Sequence, residues 1–221
     1  SVICYFNGSS ISPIYLNGSD MGGQTGANGA INIGRFDNSI GSYFDGELKL
    51  LRIWNDIRTQ PEIQSAISAG NPNLNNYSTS IIDNLQLFTP LNSMDSNIYT
   101  LGVTTNITIN PNFLGTIDTD SYQFDGVDDY YVIPINIAPE LAGSDFTIEF
   151  WVKINNDSTI LSQGTHNNYD LLHIYINNSS SELILNFNTN QATFNISHLT
   201  PTNWNHFAIL YTEIDNTVSG Y

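Results

Sequence analysis

Apolar and polar positions alternate through much of the chain. In "DFTIEFWVKI", Phe146, Ile148, Phe150, Val152 and Ile154 alternate with Thr147, Glu149, Trp151 and Lys153. A period of two over that length predicts a strand with one face on a core. "LLHIYI", "ELILNF", "ATFNI" and "HFAILY" follow, separated by "NNSSS", "NTNQ" and "SHLTPTNWN". Short strands divided by Asn-, Ser- and Thr-rich turns predict a sandwich or barrel. Asp215-Asn216 reads as a further turn, with a second strand beginning before Tyr221.

Two stretches depart from this rhythm. In "GELKLLRIW", Leu48 and Leu50 share one parity while Leu51 and Ile53 share the other. That strand carries a bulge or is covered on both faces. "TQPEIQSAISAG" reads as the one helix, with Thr59 as N-cap, Pro61 and Glu62 in the first turn, Ile63 and Ile67 one turn apart, and Gly70 as the stop. "GNPNLNNYSTS" has no apolar period and is rich in turn formers. It divides the chain into a front segment 1–70, a linker 71–81 and a back segment 82–221. No internal repeat is evident.

Composition narrows the function classes. Hydrophobic residues are 40% and aromatic residues 12% of 221, enough for a substantial core. Acids outnumber bases 21 to 5, giving a net charge of -16 and a pI near 4.1. Nucleic acid needs a basic stripe, so it is excluded as a partner. Anionic membrane surfaces are disfavoured too, and no apolar run approaches the roughly 20 residues of a membrane span. Cys4 is the sole cysteine, which leaves no internal disulfide framework or Cys-rich zinc site. It reads as a small buried hydrophobe in a strand. No leader peptide is visible before Ser1, and the chain reads as a processed product or a fragment. An acidic, Lys-poor, Asn/Ser/Thr-rich chain suits an extracellular, cell-surface or virion-surface setting, or a site for Ca²⁺.

A family resemblance rests on several motifs. The back segment carries "LQLFTPLN", "YQFDGVDDYYVIP", "FTIEFWVKI", "TILSQG" and "NWNHFAILY"; the front carries "INIGRF" and "YFDGELKLLRIWNDIRTQPEI". Together they resemble the laminin G-like domains of the concanavalin A-like jelly-roll superfamily, which also holds pentraxins and legume lectins. The resemblance implies an all-β fold: a two-sheet antiparallel jelly-roll sandwich with one short helix near 60–69. Relative to the family order, the closing motifs come first. The front segment then reads as the C-terminal half of such a sandwich and the back segment as the N-terminal half. Three arrangements give this order: a unit cut from a tandem array, a circular permutant closing its own sandwich, or a front segment that completes the next subunit.

Candidate sites follow. Asp125, Asp128 and Asp129 in "FDGVDD" and Asp45 in "FDGE" offer oxygen ligands of the kind Ca²⁺ takes. The resemblance implies a structural Ca²⁺ held by Asp125, the Gly126 carbonyl and Asp45; the plainer alternative is that Asp-Gly makes tight turns. Trp151, on the outer parity of its strand, and Tyr169 are the candidate glycan platform, unless Trp151 packs under a loop. Trp54 and Trp204 are expected in the core. Glu149 has no acidic partner two positions along its strand, so the paired carboxylates of glycan hydrolysis are missing, and no enzyme activity is expected. The histidines show no metal-ligand spacing. Glycosylation sequons fall at Asn7, Asn17, Asn76, Asn106, Asn156, Asn177, Asn178 and Asn195, a number that so much Asn, Ser and Thr nearly produces by chance. The expected function is an extracellular structural or adhesive module, a building block joined head-to-tail to identical subunits by strand completion. The alternatives are a monomeric lectin-like glycan binder and, last, a glycan-cleaving enzyme.

Overall fold

The computed structural model describes residues 1–17, 30–36, 43–68, 85–89, 97–100, 103–106, 108–109, 117–118, 121–133, 137, 141, 144–164, 172–187 and 190–212. The "GNPNLNNYSTS" stretch, Gly70 and the turn at Asp215 lie outside these residues. The front part supplies β1 (Val2–Phe6), β2 (Ser9–Ile11), β3 (Pro13–Asn17), β4 (Ile31–Ile33), β5 (Asp45–Trp54) and the helix α1 (Gln60–Ser68). The back part supplies β6 (Leu85–Thr89), β7 (Asn97–Thr100), β8 (Val103–Asn106), β9 (Thr108–Ile109), β10 (Ile117–Asp118), β11 (Ser121–Asp125), β12 (Tyr131–Ile133) and β13 (Phe146–Ile154). It continues with β14 (Ser158–Gln163), β15 (Leu172–Asn177), β16 (Glu182–Phe187), β17 (Asn190–Asn195) and β18 (Asn205–Tyr211).

These strands form two antiparallel sheets, as the alternating pattern predicts. One runs β2-β1-β18-β13-β5-β6-β7-β8, with β11 also beside β5 and β10 beside β11; the other runs β3-β17-β16-β15-β14-β4-β12-β9. The inward parity of β13 (Phe146, Ile148, Phe150, Val152, Ile154) joins one core with Phe207 and Ile209 of β18, Ile174 and Ile176 of β15, and Leu183 and Leu185 of β16. Phe146 stacks on Tyr211 at 5.0 Å between ring centroids. Cys4 is fully buried in this core, as expected of a small hydrophobe, and burial pushes its thiol well above the ordinary range.

Front strands lie inside both sheets. β5 pairs with β13 on one side and with β11 and β6 on the other. β4 bridges β14 and β12, β3 lies beside β17, and β1 lies beside β18. Among the described residues, β1–β2 is the one front ladder that stays within the front part.

The broken parity of β5 has both expected causes. The register with β13 shifts between Glu149 and Trp151, and Leu50 adopts φ 54° at the bulge. Leu48, Leu51 and Ile53 therefore face the main core. Leu50 and Trp54 face outward, into a small cluster with Leu85. Helix α1 covers another part of that outer face: Ile63 packs with Ala208 and Leu210, flanked by Tyr5, Ile57 and Ile67. Its start is a capping box: Thr59 N–H donates to Glu62 Oε2 at 2.7 Å, and Ile63 N–H donates to the Thr59 carbonyl at 3.0 Å.

Candidate functional site

The acidic turn follows β11. Gly126 takes φ +77°, and a Cβ there would lie 2.8 Å from Asp45 Cβ, so the turn needs glycine. Asp125 Oδ1 accepts from Val127 N–H at 2.8 Å and Asp128 N–H at 3.4 Å, while Asp129 Oδ2 accepts from Asp125 N–H at 3.0 Å. Carboxylate oxygens of Asp125, Asp128 and Asp129 lie within 4.8 Å of one another. Asp45 sits directly opposite Asp125 in the β5–β11 ladder. Its carboxylate accepts amide N–H groups from Asn155 at 2.8 Å and Asn156 at 2.5 Å. An all-oxygen donor set suits a hard cation such as Ca²⁺. The oxygens gathered into one cluster are those of Asp125, Asp128 and Asp129, with Asp45 held by the 155–156 turn.

The outer face of the larger sheet holds the aromatic candidates. Trp151 is half-buried and packs against Leu50, Trp54 and Leu85. His206 meets it edge-on at 5.0 Å, and Lys49 Nζ lies 5.9 Å from its centroid. Its Nε1–H is buried without a hydrogen-bond partner. Tyr169 lies outside the described residues. Trp54 is buried, as expected, but in the outer cluster and not in the main core. Trp204 is half-exposed at the surface, against its expected place in the core. Both lysines of the chain sit over its indole, Lys49 at 4.0 Å and Lys153 at 4.8 Å, because β5 and β13 place them on the same face. Lys153 also pairs with Glu47 at 3.0 Å.

Under this surface lies a buried charged cluster. Arg52 Nη1 donates to Glu149 Oε1 at 3.0 Å, and His206 Nε2 lies 2.7 Å from the same oxygen. Arg52 and Glu149 are 2% exposed and His206 0%. Burial alone would raise the Glu149 carboxyl, but Arg52 and His206 outweigh it and hold it below the usual carboxylate range. Alternation alone singles out neither Arg52 nor His206. The signal for Arg52 was a lone cation inside the apolar run "LLRIW". Among the sequon asparagines, Asn7, Asn156 and Asn195 are exposed and Asn177 and Asn178 half-buried. Asn17 and Asn106 fall in β3 and β8, and Asn76 lies outside the described residues.

Residues 125–221 match the laminin G family model described as the concanavalin A-like lectin/glucanases superfamily. No curated protein and no solved structure matches the chain. That stretch begins at the acidic turn and takes in β12 to β18.

Proposed function

We propose that the protein is a laminin G-like structural and adhesive module working outside the cell, a repeating unit joined head-to-tail by strand completion. One observation carries the reading: front strands β4 and β5 occupy interior positions in both sheets, and nearly every front ladder is made with the back part. Here the chain's own back part completes those edges; in the proposed assembly the same ladders are made with a neighbour's back part. The superfamily match and the acidic, Lys-poor composition support an extracellular setting. The described helix is too short and polar to cross a membrane. Catalysis is no part of the proposal, because Glu149, the buried carboxylate on β13, is engaged by Arg52 and His206. Size-exclusion chromatography with light scattering and negative-stain imaging of the 221-residue chain test it. Open-ended oligomers are expected; a single sharp monomer at all concentrations would overturn the assembly.

Calcium at the Asp125–Asp129 turn is part of this reading, as a structural ion. Added Ca²⁺ is then expected to raise the melting temperature by binding the folded state, with the gain reversed by chelator and absent in Asp129→Asn. Equal melting temperatures with Ca²⁺ and with chelator would remove the ion from the proposal.

A further inference from the structure

The junction between the two parts of the chain has its own chemistry. Arg52 is a front residue on β5; Glu149 and His206 are back residues on β13 and β18. Their buried cluster therefore spans the seam. A charge lodged in an interior costs several kcal/mol unless it is paired, so a front part without its matching back part would strand the Arg52 guanidinium, and the converse would strand Glu149.

The charge distribution along the chain agrees. Arg35, Lys49, Arg52 and Arg58, four of the five bases, fall in residues 1–68 against six acids. Lys153 is the remaining base and faces fifteen acids in the rest of the chain, so about -14 of the net -16 lies there. The front part is nearly neutral by comparison and holds most of the cations, so two back parts repel each other more strongly than a front part and a back part do. Sixteen residues, 69–84, connect the two parts. Fully extended they reach at most roughly 55 Å, far enough to enter a second molecule.

We propose that residues 1–68 of one copy recognise the back part of a second copy and are exchanged as one plug, with Arg52, Glu149 and His206 as the specificity lock of that joint. This rests on the strand-completion reading above and names its partner and its selective contact. Exchange of this kind retains every contact across the seam, so concentration and the connecting segment decide between one chain and two.

A charge-reversal mixing experiment tests it. Arg52→Glu and Glu149→Arg, each alone, place like charges together and are expected to lower the melting temperature by ten degrees or more. The double variant restores the pair within one chain and is expected to recover. The decisive arm is the two single variants refolded together. The front part of the first matches the back part of the second, and their other parts form the natural pair, so a reciprocal dimer has both locks intact. Recovery of folded 1:1 dimer, read by native mass spectrometry with one partner isotope-labelled, is the expected result. Recovery of the double variant with no recovery in the mixture would overturn the exchange. Single variants as stable as the parent, or a double variant as unstable as the singles, would overturn the lock.

An independent reading uses a covalent trap in place of charge reversal. Cys4 faces Ile209 across the β1–β18 ladder. Oxidised Ile209→Cys is expected to give covalent dimers and longer species on non-reducing gels after concentration. A crosslinked monomer alone would overturn exchange. A strictly monomeric parent protein combined with rescue in the mixture would remove the filament from the proposed function while supporting exchange at this seam.

Discussion

Glu149 shows what one outward-facing residue can decide. On alternation alone it belongs to solvent, yet it is 2% exposed, on a face where Ile63 of α1 packs with Ala208, its neighbour across the β13–β18 ladder. Thr147 beside it is tied to the segment leading into α1, accepting from Arg58 N–H at 3.0 Å and donating to the Asp56 carbonyl at 2.7 Å. Truncation of Glu149 to Ala leaves a buried guanidinium without its partner and is expected to cost about 3–5 kcal/mol in urea unfolding. Because Arg52 and His206 hold its folded-state pKa below the unfolded value near 4.3, its stabilisation is complete above that pH. It is lost as pH falls through the lower folded value. His173 acts in a different window. Burial pushes its pKa down to about 4, with the Phe36 ring tilted against it at 4.2 Å and Thr159 Oγ1 3.1 Å from its Nε2. The unfolded chain takes up a proton near pH 6.5 that the folded ring refuses, so stability falls as pH drops from 6.5 toward 4. His173→Gln is expected to flatten that limb of a melting-temperature profile and leave the limb below pH 4 in place.

At the scale of elements, β5 is the strand on which the larger sheet turns, and its local backbone is adapted to that position. Gly46 has φ +148°, and a Cβ there would lie 2.1 Å from the Lys153 carbonyl oxygen of β13. Both sides of that clash are backbone, so no rotamer relieves it. Gly46→Ala is expected to cost about 1–3 kcal/mol or more, read as a lower urea midpoint with the slope unchanged. Much of this level was legible in the chain. The period of two in β13, the capping signals around Thr59 and the two parities within "LKLLRI" all correspond to observed features. What periodicity does not encode is the cover. It assigns Arg52, Trp151 and Trp204 to a face, but the packing of α1, Leu85 and two lysines on that face depends on residues far along the chain. The acidic turn was legible as a set of oxygen donors. The tie of Asp45 to the amides of the 155–156 turn was not, because those amides meet it across the β5–β13 edge.

At the scale of the molecule, two covalently contiguous parts share one interior. Residues 1–76 and 77–221, produced together as separate chains, are expected to co-purify as a soluble complex, while each produced alone aggregates. Soluble, independently folded halves with cooperative melting would contradict the shared core. The interleaving also bears on biosynthesis. β5 leaves the ribosome well before its partner β13, which lies about a hundred positions later in the chain, and β1 must wait for β18 at the far end. At ordinary translation rates of about 5–20 residues per second, roughly ten to forty seconds pass between the emergence of the first strands and of the last. Until then β1 has only the short β2 beside it, and the edge of β5 that meets β13 stays open. A chain further advanced on the same messenger already carries a matching β13.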